Sequence, residues 1–225
     1  MLNIYALDIT TTITDKQYQY YKSCISNEKL KRINKYHYIE DAKRTLYGDI
    51  FIRHLITQNF RLSNDELIFS YNNFGKPFLL NYPNYHYNIS HSGNWVVCAT
   101  SYSSIGIDIE EIKPITLDMA KRFFSSHEYK VLFQKSSNKQ LDYFYKIWTL
   151  KECYIKYIGK GLSIPLDSFS FKIANNNIGL IGIQSRNLFF NSYDIFKTYK
   201  LSICAEEQPA FDKISVVDIR KIHLT

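Results

Sequence analysis

Apolar positions recur along this chain with two periods, one near 3.6 and one of 2, and the switches between them mark out helices and strands. Leu2 to Ile9 reads as a strand, and a helix follows near Asp15 to Cys24. Ser26 is a helix N-cap by residue type, opening a second helical stretch that carries Lys29, Lys31, Arg32 and Lys35. Ile39 to Gln58 is a longer amphipathic helix with Leu46, Ile50, Phe51 and Leu55 inward and Lys43, Arg44 and Arg53 outward. Leu67 to Tyr71 and Pro77 to Leu80 flank the turn-forming Asn72-Asn73-Phe74-Gly75, which predicts a hairpin. Tyr85, Tyr87 and Ile89 then alternate with His86, Asn88 and Ser90, giving a strand with one apolar and one polar face. Ser92-Gly93-Asn94 turns it into a further strand, Trp95 to Thr100.

Ser101 to Ser104 is a short polar break, and a similar order of elements follows it. Strict alternation sends Ile105, Ile107 and Ile109 to a core face and Asp108 and Glu110 to the other. Thr116 to Phe124 reads as helical, and Ser125-Ser126-His127-Glu128 matches a capping box, so Glu128 is structural by default. From Lys139 the chain enters a long helix that ends at Gly159 and Gly161. Strands are predicted around 169–173, 178–183, 199–205 and 214–217, and these complete the second half. The expectation is α+β, in two halves of similar size, 1–103 and 104–225.

Composition narrows the classes. No apolar run is long enough to cross a bilayer and the start lacks the features of a signal peptide, so a cytoplasmic protein is expected. Cys24, Cys98, Cys153 and Cys204 show no paired spacing, which disfavours zinc and disulfide frameworks. The formal charge of +7 calls for an acidic partner: nucleic acid, a phosphate-rich small molecule or an acidic protein.

Three acids resist a surface explanation. Glu152 falls on the apolar face formed by Leu141, Phe144, Tyr145, Trp148 and Ile155, where an ionised carboxylate needs a proton, a cation or a metal. Taken alone, Lys156 one turn on, with Lys151 alongside, makes a helical ion pair the ordinary reading. Asp108 and Glu110 share one strand face roughly 7 Å apart and repel each other unless a cation lies near, and Gly106 just before them leaves the backbone open to close approach. Together the three suit a hard cation such as Mg2+ bridging to a phosphate held by the basic residues. Ser90 and His91 do not make a nucleophile and base, because neighbours on a strand face opposite ways. A silent binder of a phosphate-rich ligand or of nucleic acid and a Mg2+-dependent phosphohydrolase are the rival readings.

The segments G-I-D-I-E (Gly106 to Glu110), F-F-S-S-H-E (Phe123 to Glu128) and W-T-L-K-E-C-Y-I-K-Y-I-G-K-G-L (Trp148 to Leu162) resemble the signature motifs of the 4'-phosphopantetheinyl transferases. The G-K-P corner, the N-I-S-H-S strand and the E-D-A-K-R-T-L-Y-G-D helix are similar to the surfactin-synthetase-activating (Sfp-type) branch. Cys153 stands where that family usually has Ala or Ser. The resemblance implies a monomer of two pseudo-symmetric α+β halves with coenzyme A in the cleft between them. It implies Mg2+ on Asp108, Glu110 and Glu152, with Lys156 on the phosphates and Ser90 and His91 lining the pocket. It further implies Lys29, Arg32, Arg44 and Lys76 on the pyrophosphate or the adenosine 3'-phosphate. Glu152, Lys156 and His91 are the implied catalytic set. The implied partner is an acidic peptidyl or acyl carrier protein, with no nucleic acid and no membrane involved; Phe123, Phe124 and the following helix are the expected docking place, with plain core packing of the two phenylalanines as the alternative.

Overall fold

A computed structural model describes residues 2–174, 177–182, 188–208 and 214–224. In chain order it contains β1 (Asn3–Asp8), α1 (Asp15–Ser23), α2 (Asn27–Ile33), α3 (Ile39–Phe60), β2 (Phe69–Tyr71), β3 (Pro77–Leu79), β4 (His86–Ser92), β5 (Trp95–Ser101) and β6 (Ile105–Glu111). There follow α4 (Ala120–Phe123), α5 (Ser126–Gln134), α6 (Ser137–Ile158), β7 (Ser170–Ala174), β8 (Asn177–Ile181), β9 (Phe189–Ile195), β10 (Tyr199–Ala205) and β11 (Ser215–Val217). Among the described residues no helix is long and apolar enough to cross a membrane.

The α+β architecture is built on two sheets, ordered β11-β1-β5-β4 and β6-β10-β9. Between them lies one apolar layer, in which Ile4, Ala6, Val97 and Ala99 of the first sheet meet Ile105, Ile107, Ile109, Leu201 and Ile203 of the second. Leu46, Ile50, Phe51 and Leu55 of α3 cover the other face of the first sheet as the amphipathic pattern requires. On the second sheet the covering helix is α6, and there β6 makes its closest approach at Gly106. A Cβ on that residue would stand 1.9 Å from the Cys153 carbonyl oxygen and 2.5 Å from the Tyr157 nitrogen. The glycine of G-I-D-I-E therefore serves helix-on-strand contact and not the approach of a ligand.

Several local expectations hold in detail. Ser26 accepts from the Lys29 N–H, and Ser125 and Glu128 form both bonds of the capping box. Gly159, at φ 73°, caps α6 in the left-handed conformation. Others need correction. The strand at the chain's end does not complete the second half: β11 runs parallel to β1, and Ile219, Ile222 and Leu224 join the first half's core, where the Tyr21 hydroxyl reaches the Ile219 carbonyl at 2.6 Å. A period-2 pattern announces a strand but carries no information about which sheet receives it. Arg53 is not outward; it is buried, 3.4 Å from Asp49 and over the Phe69 ring. The strand predicted over 178–183 ends at Ile181, and residue 183 lies outside the described residues.

Candidate active site at the junction of the halves

The polar face of β4 is not turned to solvent. Asn88, Ser90 and Ser92, spaced by two, accept hydrogen bonds from the Ile107, Ile109 and Glu111 amides of β6 at 2.8, 3.4 and 3.1 Å. These side chains take the place of the backbone ladder that β6 lacks on that edge, and they fix the two halves in one register. Two of them also hold carboxylates. Ser90 donates to Asp108 Oδ1 at 2.8 Å and Ser92 to Glu110 Oε2 at 2.8 Å.

From the other side α6 contributes Trp148, Glu152 and Lys156. The indole N–H of Trp148 donates to Glu110 Oε1 at 3.3 Å. Lys156 Nζ lies 2.7 Å from Asp108 Oδ1 and 2.8 Å from Ser90 Oγ. The helical pair with Glu152 therefore does not form: the ammonium goes to Asp108, which is 3 % exposed. Asp108 Oδ2 is buried without a hydrogen-bond partner. Lys151, beside Glu152 in sequence, turns the opposite way and is fully buried against Glu128 at 2.8 Å, donating also to the Leu166 and Phe169 carbonyls. Thus Glu128 is structural, as its capping box implies, with a buried cation that the sequence did not reveal.

The three acids feel one another. Burial pushes the Glu152 carboxyl up to about 7; Asp108 and Glu110 add to the rise and Lys156 opposes it. Glu110 is raised by burial and by Asp108, against the hydrogen bonds from Ser92 and Trp148. Among the described residues no three acid, His or Cys side chains are drawn together tightly enough to form a ready metal cage. Lys156 holds one Asp108 oxygen instead, while Ser92 and Trp148 hold Glu110. The donor chemistry nevertheless fits a hard divalent cation: three neighbouring carboxylates, of which Glu110 and Glu152 are raised, and one buried Asp108 oxygen with nothing bound to it.

The expected basic residues separate into two groups. Lys76 is near the acids, in a cleft of about 280 Å3 that it lines with Asn88, Glu152 and Lys156. Its ammonium donates to the Ile105 and Tyr157 carbonyls at 3.2 and 3.0 Å, and burial lowers its pKa to about 8. His91 is exposed, yet desolvation by surrounding atoms lowers its pKa, followed by the charges of Lys156 and Arg44. Arg44 donates to the Gly93 carbonyl at 2.7 Å in the β4–β5 turn and pairs with Asp41. The other group stands on α2: Lys29 is committed to Asp49 at 2.7 Å, and Arg32 is exposed. Phe124 is buried and stacks on Phe144, so it cannot meet a partner, whereas Phe123 is half-buried edge-on to Trp148. The sequence reading overlooked Ser92 as a support of Glu110, though the spacing of two from Ser90 signalled it.

Residues 12–103 match the family model described as "4'-phosphopantetheinyl transferase, N-terminal", and residues 104–204 that of the "4'-phosphopantetheinyl transferase superfamily". The chain is 38% identical over 223 residues to 4'-phosphopantetheinyl transferase Sfp of Bacillus subtilis (strain 168), covering 98% of this chain and 100% of that one. It belongs to the 4'-phosphopantetheinyl transferase family. A second Bacillus subtilis 4'-phosphopantetheinyl transferase is 42% identical over 196 residues (86% of this chain, 88% of that one). The transferase gsp of Aneurinibacillus migulanus is 34% identical over 226 residues (100% and 92%). In this transferase the three signature segments meet at the junction of the halves: G-I-D-I-E supplies Asp108 and Glu110, W-T-L-K-E supplies Trp148 and Glu152, and F-F-S-S-H-E packs against Trp148 through Phe123.

Proposed function

We propose that this transferase moves the 4'-phosphopantetheine group of coenzyme A onto a serine hydroxyl of an apo carrier protein, peptidyl or acyl, in a Mg2+-dependent reaction. The serine Oγ forms a bond to the β-phosphorus, the bond from that phosphorus to the bridging oxygen breaks, and adenosine 3',5'-bisphosphate leaves with the electron pair. The proton of the attacking hydroxyl goes to a base, for which Glu152 is suited. A carboxyl held near 7 is poised to exchange protons at neutral pH, an effect worth ~10²–10⁴-fold in rate.

Asp108, Glu110 and Glu152 are the residues that would hold Mg2+, which when bound neutralises charge on the pyrophosphate. Lys156 would then turn from Asp108 to the phosphates, with Ser90 and His91 beside it and Lys76 and Arg44 on the cleft's basic side. Lys29 and Arg32 are proposed contacts of the adenosine 3'-phosphate that require Lys29 to leave Asp49. The cation would offset the repulsion among the acids and the added charge of the pyrophosphate, and that repulsion is the observation carrying the reading. A pure anion binder would gain nothing from it. The enzyme is proposed to act as a monomer of two halves meeting near residue 103.

The test is direct. The protein, an apo carrier domain, coenzyme A and Mg2+ are incubated, and the carrier is weighed by mass spectrometry. Addition of one phosphopantetheine, abolished by EDTA, is expected. An unmodified carrier with release of inorganic phosphate would replace the transferase by a phosphohydrolase.

A further inference from the structure

One concavity lies away from the acids. It is a groove of about 510 Å3 between α5, α6 and β7, floored by Val131, Tyr143, Phe171 and Ile173. Around this floor stand Lys135, Lys139, Lys146 and Lys172. Among the described residues none of the four forms an ion pair; Lys135 lies over the Tyr143 ring at 4.9 Å. Asp142, the acid in the groove, shares Lys200 with Asp194, and both carboxylates attract Lys146. An apolar floor of this size with Lys135, Lys139 and Lys172 free of ion pairs at its rim suits an occupant that is both apolar and anionic.

The spacing of the lysines selects between occupants. Lys139 and Lys146 are seven residues apart on α6, about 10 Å along its axis, with Lys135 and Lys172 on separate elements. A single carboxylate reaches one of them. Acids two turns apart on one helix reach both, with the apolar residues of the same helix face on the floor between. The position is also suggestive: α4 and α5 run without a long break from Phe123, edge-on to Trp148 at the acidic cluster, to Lys135 at the groove's rim.

We propose that this groove docks an acidic amphipathic helix of the carrier-protein partner, with its apolar residues on the Val131–Phe171 floor and its carboxylates on the four lysines. The identity of the partner rests on the transferase reading above. Rim charges of this kind act mainly through encounter and are weakened by salt.

The experiment measures binding of an apo carrier domain by fluorescence anisotropy in low salt without coenzyme A, for the wild type and for Lys139→Glu with Lys172→Glu. Both lysines are exposed and lie outside the catalytic site. Carrier affinity is expected to fall at least tenfold and the carrier KM to rise by a similar factor. The kcat at saturating carrier and the affinity for coenzyme A should be unchanged. Arginine at both positions should restore binding, and glutamine at both gives an intermediate loss in a variant with no new charge. Unchanged carrier affinity in the folded double-glutamate and double-glutamine variants overturns the proposal. So does saturation of the groove by palmitate that leaves carrier binding untouched. Because carrier binding is read without turnover, a wild type that binds the carrier but never modifies it would sink the transferase reading and leave the groove assignment standing.

Discussion

Replacing Glu152 by glutamine separates a functional carboxylate from a structural one, because the two roles predict opposite changes in stability. The folded chain holds this carboxyl at about 7 against 4.5 for the free group. Between those pH values the folded state binds a proton that the unfolded state has released, so stability falls as pH rises from about 4.5 to about 7, and the whole cost is present above that. At 1.36 kcal/mol per pH unit the gap sets an upper bound of about 3 kcal/mol. Partial exposure of the group, and loss of its attraction to Lys156, reduce the expected gain of Glu152→Gln to about 1–2 kcal/mol at pH 8 and about zero at pH 4. Urea unfolding of both proteins at the two pH values reads the difference, in which titrating groups remote from Glu152 cancel. The same variant should lose turnover and still bind coenzyme A. A variant less stable than wild type at pH 8, or a stability difference independent of pH, would refute the assignment of strain to this carboxylate; wild-type turnover would remove it from the mechanism.

Two further outcomes follow from the packing of α6. Lys151→Met leaves Glu128 fully buried without its cation and strips the Leu166 and Phe169 carbonyls of a donor, so a loss of about 3–5 kcal/mol is expected in urea titrations; a loss below about 1 kcal/mol would show that the pair is dispensable. Gly106→Ala drives a Cβ into backbone that no rotamer change can move, so the variant should be recovered largely unfolded, or with α6 displaced and coenzyme A affinity lost; a wild-type melting temperature and activity would disprove the close approach.

How much of this was legible in the chain depends on whether the cause was local. The alternation that set Ile105, Ile107 and Ile109 against Asp108 and Glu110 is a property of the strand itself, and the capping box at Ser125 is complete within four residues. The α+β class and the mutual proximity of the three acids followed from such signals together with the motif resemblance. What stayed hidden needed a partner far along the chain. Lys151 looked like a helical neighbour of Glu152 because Glu128, its partner, lies 23 residues away and is assigned to its own cap; Arg53 is the exception, hidden by burial although Asp49 is only one turn away. The seat of β11 beside β1 depends on pairing across more than two hundred residues.

Lys156 shows why local spacing misleads at this site. A Glu152–Lys156 contact on an exposed helix face is worth about 0.3–0.5 kcal/mol. Asp108 is nearly excluded from water, and leaving a buried carboxylate without a cation costs several times that. The larger effect wins once Gly106 lets α6 settle against β6, and Lys156 abandons its helical neighbour. Glu152 is thereby left raised and unpaired beside two other acids, the condition in which a carboxylate accepts a proton or a metal most readily. The glycine that permits helix contact thereby sets the state of the acid proposed to carry the chemistry, and a side chain at position 106 would disturb both.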